Sequence, residues 1–150
     1  MRVAYVSRIY VDRERADAPS RYLRLALHDT ATDLQAHADR YTRRRDETSK
    51  PWDDVLGCWH PAVRRERHVA GEWVDVTGGF AGTMRLALDR VTPEIIAHES
   101  THAALTLWRL DVADRVDLGD DCDDAEERFA LLLGGITGSV TEIVAAVSVP

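Results

Sequence analysis

The spacing of apolar and polar residues along the chain predicts a mixture of strands and helices. Residues 3–11 alternate between apolar and polar side chains, which is typical of a strand with one buried face. Residues 22–27 are predicted as a short strand or as the lead-in to a helix. Residues 30–45 form an amphipathic pattern with Leu34, Ala38 and Tyr41 directed inward, which predicts a helix. Residues 46–62 carry the polar residues, glycine and prolines of a loop.

The second half of the chain is predicted to contain a hairpin and two helices. Residues 69–76 and 80–88 flank a Thr-Gly-Gly turn and are predicted as paired antiparallel strands. A helix is predicted from Thr92 to about Leu110, and an acidic linker, residues 111–124, separates it from a last helix. This order of elements predicts an α+β fold in a single domain that spans residues 1–150.

The start of the helix at residue 92 is marked by its sequence. Thr92 suits the N-cap, Pro93 the first helical position, and Glu94 the positively polarised first turn. No glycine and no further proline follow before Leu110. Apolar residues at helical spacing predict a buried face. A neighbouring stripe, also expected on a mostly buried surface, comprises Ile95, His98, His102, Leu105 and Arg109.

Within this helix lies the pentapeptide His98-Glu99-Ser100-Thr101-His102. Four residues make slightly more than one helical turn, so both imidazoles lie on one face and can share a metal ion. Glu99 lies beside that ion, where it can accept a proton from a bound water. This arrangement of two ligands and a base is that of a zinc peptidase. The alternative is two ordinary histidines and a surface glutamate.

A catalytic zinc ion needs a third protein ligand. Leu105 and Trp108 occupy the positions at which metzincins have a glycine and their third ligand, so that class is excluded. The prediction is instead a glutamate on the last helix, Glu126, with Glu127 as the alternative. Both glutamates also suit a plain helix N-terminus. The small residues expected to bring this helix close to the histidines are Ala130, Gly134 and Gly138, and weaker candidate ligands in the linker are Asp111, Asp114 and Asp117.

Other side chains are assigned less specifically. A donor for the oxyanion of a peptidase is expected from His60, His68 or Tyr41, among which the sequence does not choose. His28 and His37 are predicted to be structural or exposed. The two cysteines, Cys58 and Cys122, do not make a disulfide framework, and a buried structural role is predicted for Cys58.

Charge and hydropathy indicate which binding partners and which cellular location to expect. The net charge of −7 does not suggest a general nucleic-acid binder. The N-terminal residues lack the pattern of a signal peptide. Residues 129–149 are long and apolar enough to cross a bilayer. Their glycines, their hydroxyl residues and Glu142 favour a buried core helix over a tail anchor. A cytoplasmic location follows as an expectation.

The two helical segments together give a resemblance to a known family. The chain resembles small gluzincin-type zinc metallopeptidase-like proteins of phages and prophages, and more distantly the ImmA/IrrE-like peptidases. Residues 92–103 match their T-P-x-I-x-x-H-E-x-x-H-A helix, and residues 126–134 loosely match their E-E-x-x-A helix. The glutamate of the more distant relatives falls at Ala125, which departs from the pattern. The resemblance covers about residues 69–140.

The resemblance implies a minimal zincin-like α+β fold. In it a small antiparallel or mixed sheet packs on the active-site helix, beside a second, ligand-bearing helix. An edge strand of such a sheet can hold an extended peptide, and residues 79–88 are the expected edge.

The expected function is that of a zinc-dependent metallopeptidase. Zn²⁺ would be held by His98, His102 and Glu126, or Glu127 in its place, with Glu99 as general base. The expected partner is a peptide or protein substrate, without nucleic acid or membrane. One alternative is a non-catalytic zinc-binding interaction module, such as a phage or prophage adaptor or a repressor-targeting protein. The other is a domain without metal.

Overall fold

A computed structural model describes residues 3–11, 20–44, 51–63, 65–75, 78–111 and 122–148. Along the chain, its elements are β1 (Tyr5–Val11), β2 (Arg21–His28), α1 (Ala31–Arg43), β3 (Gly57–Pro61), β4 (Glu66–Val69), β5 (Glu72–Asp75), β6 (Phe80–Ala87), α2 (Pro93–Asp111) and α3 (Cys122–Ser148). The predicted α+β class is confirmed, as are the first strand and the three helices. The ambiguous segment at residues 22–27 is a strand.

Four strands form one mixed sheet in the order β1-β2-β6-β3. β1 pairs antiparallel with β2, β2 pairs parallel with β6, and β6 pairs antiparallel with β3. β4 and β5 form a separate two-stranded sheet.

The predicted pairing of residues 69–76 with residues 80–88 is wrong. β5 pairs with β4 across Ala70 and Gly71, whose φ values of 50° and 92° suit a tight two-residue hairpin turn. β6 is buried along almost its whole length and therefore lies inside the larger sheet, between β2 and β3. Thr-Gly-Gly thus separates two strands that belong to different sheets.

Helices cover both faces of the four-stranded sheet. On one face α2 and α3 bury the larger apolar cluster, which includes Leu25, Met84 and Leu107. On the other face α1 buries Leu34 and Ala38 against Cys58 and Ala87. The inward orientation predicted for Leu34 and Ala38 is confirmed.

α3 contributes one face to the core. Its buried stripe is formed by Ala125, Ile136, Val140 and Val144. A side chain added at Gly134 or Gly138 would meet no atom within 4 Å, and Ala130 is exposed. The prediction that these small residues press against α2 is therefore wrong, because the larger apolar side chains of the opposite face fill that contact.

The outer face of α3 is exposed and includes Leu131, which is 66% accessible. By length and composition, the stretch Ala125–Ser148 could cross a membrane, with a mean hydropathy of 1.8 and 17% of its most apolar window buried. A core helix of a soluble protein satisfies the same criteria. Only the inner stripe of α3 packs into the core, so the buried core helix predicted for residues 129–149 is seen for one face of the helix alone.

Candidate functional site

The predicted start of the motif helix is confirmed. The Thr92 hydroxyl accepts a hydrogen bond from the Ile95 N–H at 3.4 Å, and its carbonyl accepts one from the Ile96 N–H at 3.0 Å. A hydrogen bond from the Thr92 side chain also lowers the pKa of Glu94. The helix therefore begins at Pro93, which places the pentapeptide in its second and third turns.

The two histidines of the motif lie side by side on the solvent-facing side of α2. Their Nε2 atoms are 3.2 Å apart and their ring centroids 4.8 Å apart. Both residues are exposed, as are Leu105 and Arg109 on the same stripe. The expectation that this stripe lies on a mostly buried surface is wrong, because the opposite side of the helix carries the core residues.

The separation of the two imidazoles can be compared with the geometry of zinc. Zinc binds imidazole nitrogens at about 2.0–2.1 Å, and tetrahedral ligands at that distance are about 3.3 Å apart. The observed 3.2 Å between the Nε2 atoms of His98 and His102 is close to this ligand–ligand distance. The same distance also fits an N–H···N hydrogen bond between the rings.

Glu99 lies beside this pair but points toward the sheet. Its side chain is 6% exposed, and Oε2 has no hydrogen-bond partner within the described part of the chain. Burial raises the pKa of the Glu99 carboxyl, while the neighbouring His98 and a hydrogen bond from the Trp59 N–H lower it to a lesser extent. The carboxyl group is thus held in a largely dry position where it binds a proton more readily than an exposed glutamate.

The strand next to Glu99 is β3, which is an edge of the sheet. Residues 79–88, the predicted edge, are interior instead, because β6 is paired on both sides. The sequence assigned β3 to a loop, since its five residues include a glycine and a proline. The sheet edge near the motif, which no described strand pairs with, is therefore formed by residues that the sequence left in a loop.

The hydrogen bonds that flank β3 determine which of its backbone groups face outward. The Ala62 N–H donates to the Ala81 carbonyl at 2.9 Å, and the Ala87 N–H donates to the Leu56 carbonyl at 3.3 Å. In an antiparallel ladder such pairs recur at every second residue, so even-numbered positions of β3 bond to β6. The N–H and carbonyl of Trp59 consequently face the open edge, where the N–H meets Glu99.

A hydrogen bond and a glycine allow β3 to lie close to α2. The Trp59 indole N–H donates to the Thr106 hydroxyl at 2.9 Å, and that hydroxyl donates to the His102 carbonyl at 3.0 Å. A Cβ at Gly57 would lie 2.8 Å from Ile95 Cγ2 and 3.0 Å from Glu99 Cγ. No signal in the sequence marks Gly57, Trp59 or Thr106 as part of the site, because only the pairing of β3 with β6 places them beside the motif.

Among the described residues, the predicted third ligand does not complete a three-residue metal site with the histidine pair. Glu126 and Glu127 are both exposed near the start of α3. Phe129 of that helix contacts the Trp108 ring at 5.7 Å, and Trp108 lies about 9 Å along α2 from His102. Within the described residues no group of three His, Cys, Asp or Glu side chains could hold a metal ion.

Of the acidic residues predicted as ligands, the structure describes the side chains of the two glutamates but not those of the three aspartates. The side chain of Asp111, together with Asp114 and Asp117, falls outside the described residues. Glu127 lies half a helical turn, about 180°, from Ile136 of the buried stripe and therefore faces away from the core. Glu126 lies about 100° from Glu127, at the margin of that stripe.

Two of the expected oxyanion donors lie on the wrong side of the sheet. The buried His60 ring packs against the Tyr41 ring at 4.4 Å and the Trp52 ring at 5.1 Å, beneath α1. The Tyr41 hydroxyl donates to the Pro61 carbonyl at 3.4 Å. The predictions for His60 and Tyr41 are therefore wrong. Side chains alternate between the two faces along β3, so the sheet separates His60, and Tyr41 packed against it, from α2.

The other histidines and Cys58 lie away from the motif as well. His68 is exposed on β4, with its ring 5.3 Å from that of Trp73. His28 is buried against His37, with ring centroids 4.8 Å apart. Burial raises the pKa of the Cys58 thiol to about 12, which agrees with the predicted structural role.

Comparison of the chain with protein-family models, with curated proteins and with solved structures finds no match. The site itself consists of two exposed imidazoles and a buried carboxyl group beside the edge strand β3.

Proposed function

We propose that the chain is a zinc-dependent peptide hydrolase whose site comprises His98, His102 and Glu99 beside the edge strand β3. The observation that carries the proposal is the geometry of the motif. Two exposed Nε2 atoms lie 3.2 Å apart, next to a buried carboxyl group that faces the sheet edge. About one turn of α2 would thus supply two metal ligands and a proton acceptor, and the adjacent edge of β3 would bind the peptide.

His98 and His102 would hold the ion through their Nε2 atoms. Zinc, when bound, lowers the pKa of a coordinated water toward ~7 and polarises a substrate carbonyl. Glu126 remains the proposed third ligand, with Glu127 as the alternative. The position of Glu126 at the margin of the buried stripe of α3 favours it over Glu127, which faces away from the core.

Glu99 would serve as the general base. In its ionised form it accepts a proton from the attacking water and then delivers this proton to the leaving amine. Burial stabilises the neutral carboxyl and so favours the first transfer. Because Oε2 has no hydrogen-bond partner within the described residues, this oxygen is free to accept the proton.

The free edge of β3 would bind the substrate as an added antiparallel strand. The outward N–H of Trp59, which now bonds to Glu99, would donate to a substrate carbonyl instead. Substrate pairing would thereby release the Glu99 carboxylate for proton transfer. Pro61 has no N–H, and its carbonyl already accepts from Tyr41, so the binding edge ends at this residue.

A peptide-library assay tests the proposal. The wild-type protein, supplied with zinc, is incubated with mixed peptides, and new termini are identified by mass spectrometry. Glu99→Gln preserves the shape of the side chain and removes the base, so cleavage should fall by about 100-fold or more with zinc still bound. His68→Ala, at an exposed histidine outside the site, should cleave like the wild type. Equal cleavage by wild type and Glu99→Gln would contradict the proposed role.

The structure also offers support for the alternative of a non-catalytic zinc-binding interaction module. No third ligand joins His98 and His102 within the described residues, and both imidazoles are exposed. An exposed pair at this spacing could share an ion with a side chain of a partner protein. In that case zinc would bind to wild type and to Glu99→Gln alike, and neither protein would cleave any peptide of the library.

A further inference from the structure

The four-stranded sheet differs in charge from the rest of the chain. Its strands β1, β2, β3 and β6 contain no aspartate and no glutamate. They carry four arginines, namely Arg8, Arg21, Arg24 and Arg85, in a chain whose net charge is −7. All the acidic residues therefore lie outside these strands, and the sheet is locally basic.

Part of one face of this sheet is not covered by any helix or strand that the structure describes. Ile9 packs into the core formed with α2 and α3, so its neighbours Arg8 and Tyr10 point to the opposite face. On that face α1 packs over Cys58 and Ala87, on the side of β3 and β6. On the side of β1 and β2 the face is open: Tyr10 is 63% accessible, and Arg8 and Arg24 are exposed.

Three aromatic rings form a row across this open face. Tyr10 lies directly opposite Tyr22, and Tyr22 directly opposite Phe80, so the row crosses three adjacent strands. Neighbouring ring centroids are 5.7 Å and 5.5 Å apart. Aromatic side chains on the surface of a sheet are the platform on which many proteins stack the bases of single-stranded nucleic acid.

The arginines lie next to this row. Arg8 and Arg24 face each other directly across β1 and β2, a placement of like charges that costs stability in a sheet. The Arg8 guanidinium lies 5.2 Å from the Tyr22 ring centroid, and that of Arg24 lies 5.5 Å from the Phe80 ring centroid. Each cation thus lies over a ring, and an anion bound between the two guanidinium groups would relieve their repulsion.

We propose that this face, defined by Arg8, Tyr10, Tyr22, Arg24 and Phe80 and here called the aromatic–arginine face, binds single-stranded nucleic acid. Bases stack on the exposed Tyr10 ring and on the Tyr22 and Phe80 rings, from which the two guanidinium groups turn to contact backbone phosphates. An acidic peptide would pair with the arginines but would make no use of the row of rings. The proposal departs from the expectation drawn from net charge, since binding depends on the local distribution of charge. It does not rest on the proposed hydrolase activity, whose residues lie on the other side of the sheet.

Fluorescence anisotropy tests the proposal with the full-length protein. The probes are labelled oligo-dT and oligo-rU of about 12 nucleotides, a duplex DNA of the same length, and a labelled polyglutamate peptide. Tyr10→Ala and Arg24→Ala alter exposed side chains of the face. The matched controls are Trp73→Ala and Arg67→Ala, an exposed aromatic residue and an exposed arginine on the β4–β5 hairpin.

Wild type should bind at least one single-stranded probe more tightly than the duplex, whether that probe is DNA or RNA. Tyr10→Ala and Arg24→Ala should each weaken binding about tenfold, because stacking on one ring or pairing with one phosphate is lost. The controls should bind like wild type. Absence of binding to both single-stranded probes would overturn the proposal, as would binding that Tyr10→Ala leaves unchanged. Tighter binding of polyglutamate than of the oligonucleotides would assign the face to an acidic protein instead.

Discussion

Gly57→Ala tests the contact between the edge strand and the motif helix. The added Cβ would lie 2.8 Å from Ile95 Cγ2, 3.0 Å from Glu99 Cγ and 3.1 Å from Leu86 Cδ2. These distances are shorter than ordinary carbon–carbon contacts of about 3.5–4.0 Å. At least one of the three side chains, or β3 itself, must therefore shift to make room.

The expected cost follows from two opposing effects. Overpacking a filled interior by one carbon costs about 1–3 kcal/mol. Replacing glycine by alanine lowers the entropy of the unfolded chain and recovers about 0.4–1 kcal/mol, since Gly57 does not have a positive φ. The free energy of unfolding should therefore fall by about 1–2 kcal/mol.

Urea denaturation followed by circular dichroism measures this change. The matched control is Gly134→Ala, where the added carbon meets no atom within 4 Å. Alanine is the better helix former, so this control should raise the free energy of unfolding by up to about 1 kcal/mol. If Gly57→Ala is as stable as Gly134→Ala, β3 does not lie against α2 as described, and the placement of Glu99 beside the sheet edge fails with it.

Three further changes test other parts of the structure. Burial raises the pKa of Glu99, so its ionisation destabilises the fold as pH rises above about 4.3, the unfolded value. Glu99→Gln should therefore be more stable than wild type in urea at about pH 7, and this advantage should vanish below about pH 4; an advantage independent of pH would refute the cause. Trp59→Phe removes the hydrogen bond to Thr106 and should cost about 1 kcal/mol, whereas Trp73→Phe, at a residue 70% exposed, should cost almost nothing. Leu25→Ala creates a cavity in the larger core and should cost about 2–5 kcal/mol, measured as a lower thermal midpoint; a cost below 1 kcal/mol would contradict its complete burial.

Local signals in the sequence were sufficient for the helices. The Thr92-Pro93-Glu94 start of α2 depends on groups within one turn, and each of them acts as expected. Thr30, which the pattern placed at the start of α1, is its N-cap and accepts a hydrogen bond from the Asp33 N–H at 3.2 Å. Helical spacing alone also placed both imidazoles of the motif on one face.

Pairing between distant segments could not be predicted in the same way. β6 lies beside β2 and β3, which are more than fifty and about twenty residues away in the chain, and no turn sequence records either neighbour. The position of α3 relative to α2 likewise depends on which of its faces is more apolar. Gly134 and Gly138 suggested a close contact, but Ile136 and Val140 bury more surface and direct the opposite face inward. The predicted role of Glu126 depended on that rotation.

The proposed function depends on a zinc site formed by His98 and His102. Isothermal titration of metal-free protein with zinc, at neutral pH, measures this directly for wild type, His98→Ala, His102→Ala and the control His68→Ala. Wild type and His68→Ala should bind one zinc ion per chain, and either motif variant should bind it at least tenfold more weakly. If wild type takes up no zinc, or if both motif variants bind it as tightly as wild type, the proposed site does not exist.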